Sequence, residues 1–293
     1  MQDILLAGPG LDPADFLEAL RALQPERVLH LAYMPALRAE GVANDCCLNA
    51  LRALAREKRV DCLVLPAGMT IKNVRLITLD MDSTLIQNEC IDDMAELAGC
   101  GPEMARRTRE AMEGLWPFTK NLTGRVALLA GAPAEIASKA AEHIRFNPGA
   151  ERLMAFMKAH NVDRWILSGG FTQITEPVAE MLGMTGVVCN ELVVKDGKLT
   201  GEVVGPAGGK ILDADGKRRA LEVLARAIRA ELPQTIASGD GANDIEMVQA
   251  AGAGFAFHAK PKTAEAARWR IDFGGLDVIA ACYREFWENA KAL

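Results

Sequence analysis

The 293-residue chain predicts an α/β fold, a doubly wound and mostly parallel sheet with a helical insert and a small N-terminal α+β unit. Three observations carry that prediction. From residue 149 onward, short apolar runs alternate with helical patterns, as strands and crossover helices do. The apolar stretch Val74, Leu76, Ile77, Leu79 ends on Asp80-Met-Asp82, which puts two carboxylates at the end of a buried strand. Ser168-Gly169-Gly170 and Ser238-Gly-Asp-Gly-Ala-Asn-Asp244 each follow a further strand-like run.

In residues 1–72, apolar runs at 4–7, 28–32 and 62–65 alternate with helical patterns at 14–23 and 48–56. This predicts a first α+β module, with Pro66, Ala67 and Gly68 as its exit. A strand over 74–82 opens the second unit. Residues 91–142 read as helix, broken at Gly101-Pro102, Trp116-Pro117 and Gly131-Ala-Pro133. Further strands are predicted at 163–168, 186–189, 234–237 and 254–257, with helices at 149–160, 172–182, 216–230 and 244–250. Residues 191–204 carry Asp196-Gly197, the signature of a tight hairpin turn. The expected division is a module at 1–72, a core at 73–89 and 146–293, and a cap at 90–145. The cap would lie over the carboxyl ends of the strands, where α/β sheets place their sites.

Composition narrows the function classes. Half the residues are apolar, a quarter are charged, and the net charge is −6 with no dense Lys/Arg run, which argues against nucleic acid. No apolar run reaches the ~18–20 residues of a membrane span. The first residues lack the basic start of a secretory signal. Seven cysteines, Cys46 and Cys47 adjacent and the rest scattered, form no CxxC pair. Reduced thiols in a cytoplasmic protein are expected.

The candidate chemistry sits at the strand ends. Ionised carboxylates avoid apolar interiors unless paired, hydrogen-bonded or bound to metal. Asp80 and Asp82, two apart in extended chain, share a face. One can attack while the other handles a proton, or both can serve a hard cation. The Ser168 hydroxyl and the N–H groups of the following glycines suit an oxyanion. Asp240, Asn243 and Asp244 bring oxygen donors to one loop, a set that suits Mg²⁺.

The order Asp-x-Asp, Ser-Gly-Gly, Lys, Gly-Asp-Gly-x-Asn-Asp resembles the haloacid-dehalogenase-type phosphatases, and within them the phosphoserine phosphatase family. Residues 79–98 (LDMDSTLIQNECIDDMAELA), 118–131, 167–172, Lys217 and 238–261 (SGDGANDIEMVQAAGAGFAFHAKP) carry the resemblance, which spans about 74–275. It implies Mg²⁺-dependent hydrolysis of O-phospho-L-serine, the last step of serine biosynthesis, through an aspartyl-phosphate. Asp80 would be the nucleophile and Asp82 the acid/base. Mg²⁺ would be held by Asp80, the Asp82 carbonyl and Asp240, with Asp244 in support. Ser168, Gly169 and Lys217 would cradle the phosphate, with Lys210 the rival lysine. Glu89 would take the substrate ammonium and Arg125 its carboxylate, Phe118 would shield the pocket, and Asn243 would join the phosphate and metal environment.

Two alternatives stay open at this stage: another small phosphomonoester or a phosphoryl acceptor other than water, and an amino-acid-sensing or dimerising role for 1–72. That module is similar to the ACT modules of some of these phosphatases, although 42–45, where a further strand would fall, is short and polar. A homodimer would form through it. His258 is expected to be a hydrogen-bonded loop residue and Lys260 a solvated lysine.

Overall fold

The computed structural model describes residues 1–43, 47–112 and 117–293, with backbone alone at 109–112. Asn44, Asp45 and Cys46, and Trp116, lie outside the described residues. The N-terminal elements are Gln2–Ala7 (β1), Pro13–Ala22 (α1), Arg27–His30 (β2), Ala36–Val42 (β3), Leu48–Glu57 (α2) and Asp61–Pro66 (β4). The βαββαβ order is therefore complete, and its third strand is the one the apolar pattern does not show. β3 reads Ala-Leu-Arg-Ala-Glu-Gly-Val, and its central arginine and glutamate break the hydrophobic signal. Arg38 is nonetheless fully buried, its Nη2 2.7 Å from Asp3 Oδ2.

The chain then passes through Leu76–Leu79 (β5) into four insert helices: Cys90–Leu97 (α3), Gly101–Met112 (α4), Phe118–Val126 (α5) and Ile136–Ala141 (α6). Ala150–Ala159 (α7), Asp163–Phe171 (β6), Thr172–Met181 (α8), Gly186–Lys195 (β7) and Lys198–Val204 (β8) follow. The remaining elements are Ala214–Ala227 (α9), Thr235–Gly239 (β9), Ile245–Ala250 (α10), Ala253–Phe257 (β10), Pro261–Ala266 (α11), Trp269–Ile271 (β11), Val278–Ala281 (α12) and Lys291–Ala292 (β12). The second sheet has the order β11-β10-β9-β5-β6-β7-β8. It is parallel from β11 to β7, and β8 returns antiparallel on β7. The β7–β8 turn is Asp196-Gly197 with φ of +51° and +73°, the left-handed pair a tight hairpin needs.

β5 is wholly buried at the centre of this sheet, and register decides what emerges from it. Leu79 pairs with Ser238 on one side and with Ile166 on the other. Asp80, Ser168 and Asp240, each one or two residues further on, therefore leave three adjacent strands at one rim.

The first sheet, in the order β12-β2-β3-β1-β4, does not stand apart from the second. β12 pairs with β2, the Trp269 indole N–H donates to the Val64 carbonyl, and the Asp61 carboxylate accepts from the N–H groups of Asp272, Phe273 and Gly274. One apolar cluster runs through both, from Leu5 and Leu63 to Ile77, Ile236 and Trp287.

Candidate active site

Asp80 stands immediately after β5, its N–H donating to the Ser238 carbonyl at 3.0 Å and its Oδ1 accepting from the Met81 N–H at 2.8 Å. The Lys217 ammonium, from the first turn of α9, is fully buried and lies 2.8 Å from Asp80 Oδ1 and 2.7 Å from Asp244 Oδ1. Burial opposes its charge, yet Asp244 and Asp80 outweigh burial and hold its pKa above the ordinary lysine value. Lys210, the rival candidate, is exposed.

Asp80, Asp240 and Asp244 each offer an oxygen within 4.8 Å of the others, and all three are buried. Burial, and then the charge of Asp80, pushes the pKa of both Asp240 and Asp244 up to about 7. Three carboxylates against one lysine leave surplus negative charge in a desolvated place. The donor set, all oxygen and compact, fits a hard divalent cation such as Mg²⁺. Gly241 N–H donates to Asp244 Oδ2 at 3.0 Å, and the Thr84 hydroxyl to Asp240 Oδ1 at 3.2 Å.

The Asp82 carboxylate lies outside that cluster. Its Oδ1 accepts from the Cys90 N–H at 3.1 Å, the first residue of α3. Burial, then the neighbouring charge of Glu89, raises its pKa to about 7. Glu89 occupies the N-cap position of α3 without a side-chain cap bond, and its Oε1 instead accepts from the Ser83 hydroxyl at 2.8 Å. Desolvation raises its pKa, and Lys260 acts against the rise. Lys260 also acts on Asp240, whose carbonyl accepts its N–H at 3.0 Å, so this exposed lysine belongs to the mouth of the site.

Ser168 is buried, and its Oγ accepts from the Gly170 N–H at 2.9 Å. A Cβ on Gly169 would lie 2.9 Å from Phe118 Cζ and 3.8 Å from Asn243 Nδ2, and one on Gly170 would lie 3.3 Å from Asp82 Oδ2. Phe118 of the cap thus rests on the Gly169 backbone, with Asn243 near it, and little room is left for a side chain at either glycine. Arg125 lies seven positions after Phe118 on α5, two turns along the same face. Its Nε is buried and has no hydrogen-bond partner.

Several participants have no motif of their own. Ser83 and Thr84 orient Glu89 and Asp240. Buried Asn190 donates to the Gly169 carbonyl at 2.9 Å and accepts from the Leu212 N–H at 2.7 Å, anchoring the glycine turn. The hydroxyls could have been found from their place in Asp-x-Asp-Ser-Thr; Asn190 carries no such signal. His258, at φ +45°, has its Nε2 2.9 Å from the Gly274 carbonyl, so it is a hydrogen-bonded loop residue.

Carboxylates at the carboxyl rim of a parallel sheet, a buried lysine between them and a helical insert above define a class of hydrolase. The chain belongs to the haloacid dehalogenase-like hydrolase family, whose model matches residues 77–249. Within that class it is 41% identical over 258 residues to a phosphoserine phosphatase of Streptomyces coelicolor, covering 87% of this chain and 62% of that relative. A probable phosphoserine phosphatase from Vibrio cholerae, in unliganded form, is similar over 98% of this chain and 88% of its own, with TM-score 0.81 and 31% identity. A substrate-bound phosphoserine phosphatase complex covers 72% of this chain and 98% of its own, with TM-score 0.67 and 38% identity. The chain spans about three fifths of the Streptomyces relative's length. No helix among the described residues is long and apolar enough to cross a membrane.

Proposed function

We propose that the protein hydrolyses O-phospho-L-serine to L-serine and phosphate in a Mg²⁺-dependent reaction, the last step of serine biosynthesis. The observation that carries the chemistry is Asp80 held by buried Lys217 inside the Asp80–Asp240–Asp244 cluster. The names of the relatives support the substrate. The proposed division remains a module at 1–72, a core at 73–89 and 146–293 and a cap at 90–145. A cytoplasmic setting is supported by free thiols at Cys62, Cys90, Cys100, Cys189 and Cys282.

Asp80 Oδ attacks phosphorus in line, and the bond from phosphorus to the seryl oxygen breaks. Asp82 gives its proton to that oxygen, so serine leaves as an alcohol and Asp80 is left as an acyl phosphate. A carboxyl titrating near 7 is suited to this transfer at neutral pH. Asp82 then takes a proton from the water that attacks the same phosphorus, and phosphate departs with Asp80 restored. Lys217, the Ser168 hydroxyl and the Gly169 backbone stabilise charge on the transferring oxygens. Mg²⁺, held by Asp80, the Asp82 carbonyl and Asp240 with Asp244 behind them, would screen carboxylate from phosphate. Glu89 meets the ammonium, and the Arg125 guanidinium, whose buried Nε has no hydrogen-bond partner, meets the carboxylate under Phe118. Asn243 serves phosphate and metal together.

The test is phosphate release from O-phospho-L-serine with Mg²⁺, beside EDTA and a panel of phosphothreonine, phosphoethanolamine and a sugar phosphate. Metal-dependent release from phosphoserine above the panel is expected. In Arg125→Ala, kcat/KM for phosphoserine should fall about 100-fold while phosphoethanolamine, which has no carboxylate, changes by less than about threefold. Preference of the unaltered protein for another ester would overturn the roles of Glu89 and Arg125.

A further inference from the structure

The cap leaves and rejoins the core through two short segments that are tied together. Ile86 bridges Phe146, the Gln87 N–H donates to the Arg145 carbonyl at 2.8 Å, and the Asn147 N–H to the Leu85 carbonyl at 2.9 Å. The Asn147 side chain then reaches from the returning segment into the loop that follows Asp82. Its Nδ2 donates to the Thr84 carbonyl at 2.8 Å and the Ile86 carbonyl at 3.1 Å, with the Ser83 carbonyl further off at 3.4 Å. A primary amide has two hydrogens, and the two shorter bonds use both.

The loop it holds is bent against preference. Ser83 has φ of +56°, a region that disfavours L side chains unless the surroundings impose it. The bend sends two neighbouring hydroxyls to different carboxylates. Ser83 Oγ donates to Glu89 at 2.8 Å, and Thr84 Oγ1 donates to Asp240 at 3.2 Å. One amide, 63 positions along the chain from Thr84, therefore backs both bonds at once.

We propose that Asn147 is a positioning residue. Through Ser83 and Thr84 it fixes both the carboxylate facing the substrate ammonium and a carboxylate of the metal cluster, tying the cap hinge to the site. The inference rests on the function proposed above for the meaning of Glu89, whereas its metal arm stands on geometry alone.

The test compares Asn147→Ala, Asn147→Ser, Ser83→Ala and Thr84→Val. Two readouts are used: Mg²⁺ affinity by calorimetry, and the kcat/KM ratio of phosphoserine to p-nitrophenyl phosphate, which lacks an ammonium. Asn147→Ala should weaken Mg²⁺ binding about tenfold and lower the substrate ratio by a similar factor. Ser83→Ala should lower the ratio alone, and Thr84→Val should weaken Mg²⁺ alone. Asn147→Ser, which keeps one donor, should fall between Asn147→Ala and the unaltered protein, and it serves if the alanine variant fails to fold. Equal losses on both substrates with unchanged Mg²⁺ affinity would overturn the proposal, as would no change in either readout. If the unaltered protein releases no phosphate from phosphoserine, the function falls, and Mg²⁺ affinity in the Asn147 variants still decides the positioning role.

Discussion

Each of the two sheets buries a cation among carboxylates, and the two clusters are built to opposite ends. In the first sheet, Arg38 and Arg27 face Asp3 and Glu40, two charges against two. The Arg38 guanidinium also donates to the carbonyls of Ala281 and Cys282, at 3.4 and 3.1 Å, which joins the N-terminal module to the C-terminal segment. In the second sheet, buried Lys217 faces Asp80 and Asp244 with Asp240 beside them, and exposed Lys260 stands at the mouth of the site. A balanced and hydrogen-bonded pair is a joint. A buried surplus of one sign is costly in the resting fold and persists where a ligand of the other sign completes it.

Breaking the second cluster at its chemical centre should have the largest effect. Asp80→Asn replaces the carboxylate proposed as the nucleophile with a non-nucleophilic amide, and phosphate release should fall by about 10⁴-fold or more, measured against folded protein by circular dichroism. Breaking the first cluster should cost stability and spare chemistry. Arg38→Ala leaves Asp3 buried without its counter-charge, held by the Gly41 and Gly68 N–H groups, for a loss of about 3–5 kcal/mol in denaturant unfolding. Its turnover per folded molecule should stay within about twofold. A large loss of turnover in folded Arg38→Ala protein would show that the joint also shapes the site.

Titration separates the clusters with a smaller signal. Asp82, Asp240 and Asp244 have pKa values raised from 3.8 to about 7 in the metal-free fold. Between those limits the folded protein holds protons that the unfolded chain has already released. The stability these groups allow is therefore full below about pH 4 and declines as pH rises toward 7. With EDTA, the melting temperature should drop by a few degrees across this window from their contribution. Added Mg²⁺ should restore it most at the alkaline end, because the metal needs the ionised carboxylates. Asp240→Asn should flatten the metal-free slope and reduce the Mg²⁺ response, whereas Arg38→Ala should leave both in place. A Mg²⁺ response that is equal at pH 5 and pH 8 would count against the surplus-charge account.

Much of the second sheet was legible because its strands are apolar and its chemistry follows them directly. Asp80 terminates Leu-Ile-Thr-Leu, and the glycines at the carboxyl ends of β6 and β9 mark where Phe118 and Asp244 come close to the backbone. The hairpin could be read at Asp196-Gly197 because a left-handed turn narrows residue choice. The strand Ala36–Val42 was hidden for the opposite reason. Arg38 and Glu40 read as surface residues until Asp3 and the carbonyls 243 and 244 positions away make burial tolerable. β11 and β12, of three and two residues, are too short for any periodicity to register.

The sequence by itself determined the class of chemistry: which carboxylates stand at strand ends, where glycines free the backbone beside them, and where a helical insert begins. Local pattern suffices there, because strand, turn and motif are set by near neighbours. Only the tertiary structure decided that Lys217 lies between Asp80 and Asp244, that Phe118 rests on Gly169, and that Arg125 keeps a buried, unpartnered Nε. It alone assigned Asn147 to the loop after Asp82. Those are contacts between distant segments, and their energies depend on burial and partner geometry, which no local window of residues contains.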